Sequence, residues 1–374
     1  MLTADCSEYN GGSSRRLKQL DPLTHILTGA CLSRAGLNRT TGLATLTLVL
    51  AAEAPDVDIL SVFGGSVSYF QHHRGFTHTL LGAPFVAGLA LAIAYGIYRL
   101  LRLRGGGTKV PVKWKLLYSY ALLAVLLHIL QDFTNSYGVR PFAPFNPKWF
   151  SWDIVSLIDP VMLGALFLGL AVPGMLGLIT DEVGAKKQPF RGRGGAIFAL
   201  VCLAAVIFAR DLGHRRALTA LQSVNYRGDD ALRVSAFAPR MNLNPFAWNG
   251  VVETQNFFGV LPVNSLSGEI DSQGSMVVYY KPEETPVTLA AKKSRLGRVF
   301  LDWTQYPVVT TERLPGDAGY QVQFVDLRFT SPDAVRGQAP PLAGYLTLDP
   351  HLNVLDMSLG RPLVRDNRPA GSRP

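Results

Sequence analysis

The heptapeptide His72-His73-Arg74-Gly75-Phe76-Thr77-His78 stands directly before a charge-free apolar segment that runs from Thr79 to Tyr98. At 20 residues, this segment is long enough to cross the roughly 30 Å hydrocarbon core of a bilayer. Ionisable side chains at the end of a membrane helix are costly in lipid and usually serve a function. The stretch therefore indicates a membrane protein with a polar site at one membrane face.

The composition changes close to Ala209. Long apolar runs precede this point, and a more polar region rich in proline, glycine and β-branched residues follows it. A mean hydropathy of +0.18 with 17% charged residues is typical of a membrane protein that carries a soluble part. We expect a mainly α fold, with a polytopic helical membrane domain and a C-terminal soluble β-rich domain. The expected divisions are a disordered segment 1–20, a helical membrane domain 21–210, a β-rich domain 211–364 and a tail 365–374.

The net charge of +9 is unevenly distributed. Six basic and no acidic residues lie between Arg99 and Lys115, and Lys186, Lys187, Arg191 and Arg193 form a second group. Because both groups lie between apolar segments, they indicate cytoplasmic loops rather than a nucleic-acid surface.

Apolar periodicity and helix start signals predict the membrane helices. The expected segments are Asp21–Ser33, Gly42–Ala54, Thr79–Tyr98, Leu116–Gln131, Leu157–Thr180 and Gly194–Ala209, with a loop from Asp56 to Gln71. The first two helices are short for a span, which leaves two alternatives: they are half-buried, or they span only where the site thins the bilayer. If the basic loops are cytoplasmic, the histidines and aspartates at the opposite helix ends emerge at the outer face, with the β-rich domain on the same side. Arg15, Arg16 and Lys18 oppose this topology if the first helix spans.

The C-terminal part shows strand signals between turns. Predicted strand segments are Asn249–Val260, Ser275–Tyr280, Arg298–Trp303, Tyr320–Phe329 and Leu342–Leu348. They predict a small antiparallel β-domain.

Two pairs of residues are candidate metal ligands. His128 and Asp132 are four residues apart at a helix end, so an imidazole and a carboxylate can reach one ion from one helix face. Asp56 and Asp58 follow Pro55, and two carboxylates this close repel each other unless a cation lies between them. A capped helix end and a solvated acidic turn are the alternatives.

The organising stretch supplies further candidates. Gly75 permits a turn that brings His73 and His78 together, and His25 lies at the same predicted face. An interfacial belt of His and Arg against lipid headgroups is the rival interpretation. The expected metal ligands are His25, Asp56, Asp58, His73, His78, His128 and Asp132.

Three residues are candidates for catalysis rather than for ligation alone. Arg74 can bind an anionic substrate group through two parallel hydrogen bonds. Asp58 and Asp153 are candidate catalytic carboxylates. Asp159, which precedes Pro160, fits a helix cap as well as it fits catalysis.

Oxygen and imidazole donors without thiolates favour zinc, with manganese or iron as alternatives, over a four-cysteine structural site. The number of candidates allows one or two ions. An open metal site can lower the pKa of a bound water and so activate it for hydrolysis. The expected partners are membrane lipid and an unidentified small-molecule or lipid substrate.

Five motifs occur together in one order: Asp21-Pro-Leu-Thr-His25, Pro55-Asp-Val-Asp58, His73-Arg-Gly-Phe-Thr-His78, His128-xxx-Asp132 and Ile158-Asp-Pro160. Through these five motifs, residues 21–180 resemble the family of bacterial inner-membrane, metal-dependent hydrolases named after the LexA-regulated protein YdjM. The family has been likened to zinc phospholipases C. The resemblance implies an α-helical, metal-dependent hydrolase of the bacterial inner membrane, acting on an ester or phosphoester, and implies nothing about the C-terminal part.

Two other functions stay open. A transporter or metal-dependent sensor would place ionisable residues deep within the spans, whereas here they cluster at helix ends. A scaffold would use the β-rich domain to bind a partner and the metal only for structure.

Overall fold

The computed structural model describes residues 21–108, 110–182, 192–241, 243–272, 274–281, 284–330, 340 and 342–360. Segment 1–20, tail 365–374 and the basic residues Lys109, Lys186, Lys187 and Arg191 lie outside these residues, so the predictions made for them stay predictions.

The N-terminal part is a helical bundle. Its α-helices are α1 (Asp21–Ala35), α2 (Ala44–Glu53), α3 (Ser66–His72), α4 (Ala83–Leu103), α5 (Trp114–Thr134), α6 (Pro160–Glu182) and α7 (Arg193–Gln222). Residues 56–71, predicted as a loop, are mostly helical, since a 3-10 segment (Ala54–Gly64) leads into α3. The loop prediction was wrong because these helical segments are too short to show a helical repeat of apolar residues in the sequence.

Three helices of the described residues, α4, α5 and α7, are long and apolar enough to cross a membrane. As expected, α1 and α2 are too short, at 15 and 10 residues. They pack inside the bundle, where a Cβ atom at Gly29 of α1 would lie only 2.8 Å from the carbonyl oxygen of Leu48 in α2. Such small residues let membrane helices approach closely.

Within the described residues, the C-terminal part forms two four-stranded antiparallel sheets. The first holds β1 (Arg233–Phe237), β2 (Ala247–Glu253), β3 (Phe257–Asn264) and β4 (Val277–Tyr280), paired in this order. After helices α8 (Pro286–Lys293) and α9 (Arg295–Trp303), the second holds β5 (Pro307–Arg313), β6 (Tyr320–Asp326), β7 (Gly344–Leu348) and β8 (Val354–Leu359). The predicted fold class, a mainly helical membrane domain followed by a β-rich domain, is confirmed.

Three of the predicted strand segments have a different secondary structure in the protein than the sequence predicted. Asn249–Val260 is a hairpin, because the Thr254 hydroxyl accepts from the amides of Asn256 and Phe257 and turns the chain. Arg298–Trp303 is helical, not extended. Tyr320–Phe329 is a strand only as far as Asp326 and ends in a 3-10 turn.

The β-rich part lies at the end of the bundle that carries the predicted site. The C-terminal half of α7 packs on β1, β2 and β3, and α3 packs on α9 and β8. The division predicted after residue 210 falls within α7, which continues from the bundle to the sheet.

Candidate metal centre

The predicted metal ligands lie at helix ends that meet at one end of the bundle. His25 is in the first turns of α1, Asp56 and Asp58 are in the 3-10 segment, His73 and His78 are in the turn before α4, and His128 and Asp132 are in the last turns of α5. The structure thus brings together every predicted ligand. The basic loop between α4 and α5 lies at the opposite end.

The tautomers of two histidines follow from their hydrogen bonds. His128 Nδ1 lies 2.6 Å from the carbonyl oxygen of Ala52, so Nδ1 carries the proton. His25 Nδ1 lies 3.0 Å from Gln131 Oε1, and the Gln131 amide nitrogen in turn donates to the Thr28 hydroxyl. These bonds put the proton of each ring on Nδ1, so that Nε2 is the nitrogen that carries the lone pair a metal could use.

His78 completes the arrangement from the opposite side. Its Nδ1 lies 3.4 Å from Asp58 Oδ2, while its Nε2 lies 3.1 Å from His128 Nε2. Burial lowers the pKa of His78, but the carboxylates of Asp132, Asp56 and Asp58 outweigh it and raise that pKa to about 9. Because two facing lone pairs repel each other, this position calls for a cation, either a proton or a metal ion.

Two carboxylates approach the same pair of nitrogens. Asp56 Oδ1 lies 3.4 Å from His78 Nε2 and 3.7 Å from His128 Nε2. Asp132 Oδ2 lies 3.3 and 3.4 Å from the same two atoms. Ligand atoms about 2.0–2.1 Å from a tetrahedral zinc ion are separated by about 3.3–3.4 Å. Each set of three atoms therefore fits one face of a zinc coordination shell.

The electrostatics of these carboxylates also favour a cation. Asp132 Oδ2 is buried and makes no hydrogen bond within the described part of the chain. Burial alone would raise the pKa of Asp56, but the hydrogen bond from His78 and the nearby His128 hold it below its usual range. A bound divalent ion would satisfy both groups.

A further group lies on the other side of Asp56. His73 Nδ1 lies 3.1 Å from Asp58 Oδ1, and the Arg74 backbone amide donates to Asp58 Oδ2 at 2.7 Å. The ligand atoms of Asp56, Asp58 and His73 lie within 4.8 Å of one another, as do those of His25, His128 and Asp132. With Asp56 between the two groups, the residues present fit one ion or two.

Arg74 has contacts that differ from its predicted role. Its guanidinium is buried, with Nη2 2.7 Å from Asp132 Oδ1 and Nη1 donating to Asn135 Oδ1 at 3.0 Å and to the Gly138 carbonyl at 3.1 Å. A guanidinium turned onto protein acceptors is not open to an anionic substrate. These contacts suit a residue that positions Asp132, and the substrate-binding role predicted for Arg74 stays a prediction.

The β-rich part holds the segment that Arg74 binds. Arg328 donates to the Ser136 carbonyl at 2.6 Å, and the Trp303 indole nitrogen donates to the Tyr137 carbonyl at 2.9 Å. Segment 135–138 is therefore fixed from both sides, by Arg74 at the metal cluster and by Arg328 and Trp303 at the sheet.

Asp153 and Asp159 do not belong to the three groups of candidate ligands in the described chain, although Asp159 lines a small cavity beside His25 and Asp132. Burial raises the pKa of Asp153 to about 6, against the lowering effect of Arg328. Its charged neighbours belong to the β-rich part, which gives no support to the predicted catalytic role. Asp159 caps α6 by accepting from the amides of Val161 and Met162, and its other oxygen accepts from Arg210 at 3.0 Å.

Sequence reasoning missed several supporting groups. Gln131 and Asn135 orient His25 and Arg74, and the Ala52 carbonyl sets the tautomer of His128. Only Gln131 carried a signal, since it lies one turn from His128 on the same helix. Beside His25 and Asp132 lies a cavity of about 20 Å³, which is room for about one water molecule.

Comparisons with known proteins identify the family of the chain. The family model described as YdjM inner membrane protein matches residues 20–216, which include every candidate ligand. The uncharacterized protein YfhP of Bacillus subtilis (strain 168) is 25% identical over 328 residues, covering 83% of this chain and 88% of that protein. No solved structure matches the chain. The family match, which spans more than half of the chain, shows that it belongs to the YdjM inner membrane protein family.

Proposed function

We propose that this inner membrane protein is a metal-dependent hydrolase of an ester or phosphoester, lipid-derived or small and soluble. The observation that carries the proposal is the convergence of His78 Nε2 and His128 Nε2, 3.1 Å apart, on the carboxylates of Asp56 and Asp132. Zinc fits these donors best, and manganese and iron are the alternatives.

The chain's own residues supply ligation and orientation. His25, His78 and His128 present Nε2 lone pairs, while Asp56 and Asp132 balance the charge. Arg74 fixes one oxygen of Asp132 and leaves the other directed at the nitrogens. A metal bound here would polarise the scissile bond and activate a water. Asp58 accepts from the Arg74 amide and lies against His73, so we assign it to ligation or to proton transfer.

The position of the cluster favours a reaction site over a transport pathway. The candidate ligands lie at helix ends, beside a cavity that has room for a water, and not along the middle of a span. A purely structural site would have no need of such a cavity, because structural zinc sites are closed by four protein ligands.

We further propose that the site and the β-rich part face the extracytoplasmic side, since the basic loop Arg99–Lys115 lies at the opposite end of the bundle. Thiol labelling of intact spheroplasts tests this. An impermeant reagent should label Tyr280→Cys, in β4, but not Gly106→Cys, in the basic loop. The reverse pattern would overturn the orientation.

The activity test uses detergent-purified protein loaded with zinc, manganese or iron and a panel of phosphomonoesters, phosphodiesters and carboxylic esters. We expect turnover that depends on metal, disappears in His128→Ala and survives in His72→Ala. His72 is the matched control, because it is exposed and its ring Nδ1 bonds the Ser68 carbonyl rather than any group of the cluster in the described chain. Tight metal binding without turnover on any ester would contradict the proposal.

A further inference from the structure

An exposed apolar surface borders the metal cluster. The 3-10 segment exposes Ile59, Leu60, Val62 and Phe63, and the last of these is 87% exposed. Phe76, Leu80 and Leu81, in the turn before α4, are exposed as well. We call these seven residues the apolar patch. Soluble surfaces rarely expose large contiguous apolar patches without a partner.

The patch and the metal ligands occupy opposite sides of the same short elements. In the 3-10 segment the Asp58 side chain is almost fully buried, whereas Ile59, the next residue, is exposed. In the following turn His78 is buried and Leu80 is exposed. The elements that carry the ligands therefore turn a hydrocarbon surface outward.

The surroundings of the patch indicate what covers it. The 3-10 segment packs on α4, whose exposed Phe85, Leu89 and Ile93 recur every four residues along one face. As α4 is a candidate span, this face is the one that meets lipid tails. The patch continues that face beyond the start of α4.

The chemistry of the segment also suits lipid. No charged residue occurs from Ile59 to Gln71. The 3-10 helix satisfies backbone groups within the segment, which entry into a bilayer requires. At 11 residues the segment is too short to span.

We propose that the apolar patch inserts into one leaflet of the bilayer beside α4, as a non-spanning anchor. It fixes the metal cluster at the boundary between water and hydrocarbon. The inference holds whether or not the cluster hydrolyses anything, because it depends on the exposed side chains and on their continuity with α4.

Depth-dependent quenching tests the insertion in the full-length protein. An environment-sensitive fluorophore is attached to the cysteine of the Phe63→Cys variant. In this protein Cys6 and Cys202 are replaced by alanine, and the buried Cys31 is retained. The protein is placed in phosphatidylcholine–phosphatidylglycerol vesicles whose acyl chains are brominated at known depths. Ile93→Cys, in the face of α4, is the lipid-exposed control, and Tyr280→Cys, on β4 and 69% exposed, is the aqueous control.

We expect label 63 to show blue-shifted emission and quenching by shallow acyl bromines, several-fold stronger than at position 280. Leu60→Cys must give the same result, and serves in place of position 63 if that variant fails to fold. Emission and quenching equal to those at position 280 would overturn the proposal. Disulfide cross-linking of two chains through position 63, without lipid quenching, would assign the patch to a second copy and overturn it too.

Discussion

Replacing Arg74 by methionine tests whether this arginine positions Asp132 or binds substrate. The pair is buried, with 2% of each side chain exposed and 2.7 Å between Nη2 and Oδ1. Removing one partner of a buried ion pair costs about 3–5 kcal/mol, because the other charge stays buried without that partner. With a shift of about 2 °C per kcal/mol, the melting temperature should fall by about 6–10 °C.

Arg74→Lys separates charge from geometry. Lysine keeps a cation beside Asp132 but cannot also serve Asn135 Oδ1 and the Gly138 carbonyl in a fixed fork. We expect Arg74→Lys to lower the melting temperature, but by less than Arg74→Met does. Arg313→Met, which breaks an exposed pair with Asp317, is the matched control and should cost at most about 1 kcal/mol.

The assay is unfolding of metal-free protein in detergent, followed by near-ultraviolet circular dichroism. Stability of Arg74→Met within about 1 kcal/mol of the wild type would refute the reasoning. If that variant kept its stability but showed a raised KM for an anionic substrate, Arg74 would have the substrate-binding role that the sequence predicted.

Three further predictions concern the cluster and its support. His128→Ala should lose bound metal on chelator-buffered titration while His72→Ala keeps it; equal retention would contradict the assigned ligand set. Arg328→Met should weaken metal affinity about 10–100-fold, because Arg328 holds segment 135–138 and the loss of a group that orients ligands typically has an effect of this size. Unchanged affinity would mean that the sheet does not position the site. Burial raises the pKa of Asp153 to about 6 and so disfavours the charged carboxylate in the folded protein. The free energy of unfolding therefore falls as pH rises from about 4 through 6. Asp153→Asn should therefore match the wild type below pH 4 and be more stable, by about 2–3 kcal/mol, above pH 6; a constant difference in urea unfolding across this range would exclude the shift.

The convergence of the ligands followed from sequence because it depends on the helix order and on the placement of the basic loops. In an up-and-down bundle, the start of α1 and the ends of α2 and α5 share one face, and His25, Asp56 and His128 lie there. The family also followed from the motif order. The strand predicted over Arg298–Trp303 is helix α9 instead, because Ser294 caps the helix and the apolar Leu296, Phe300 and Trp303 recur at helical spacing.

The contacts of Arg74 could not be predicted because they depend on the irregular segment 135–138. Gly138 adopts a positive φ of 81°, which turns its carbonyl towards the guanidinium. Whether a guanidinium is buried on acceptors or open to substrate is set by such contacts, and a single sequence carries no local signature of them. The same holds for Arg328, which reaches Ser136 from 192 residues away.

The central claim is that residues from separate motifs form one metal centre. Elemental analysis of detergent-purified protein tests it most directly, comparing the wild type with a His73→Ala/His128→Ala double variant after reloading with zinc, manganese or iron. The account predicts one or two ions per chain in the wild type and loss of stoichiometric metal in the double variant. Equal metal in both proteins, or none in either, would contradict it.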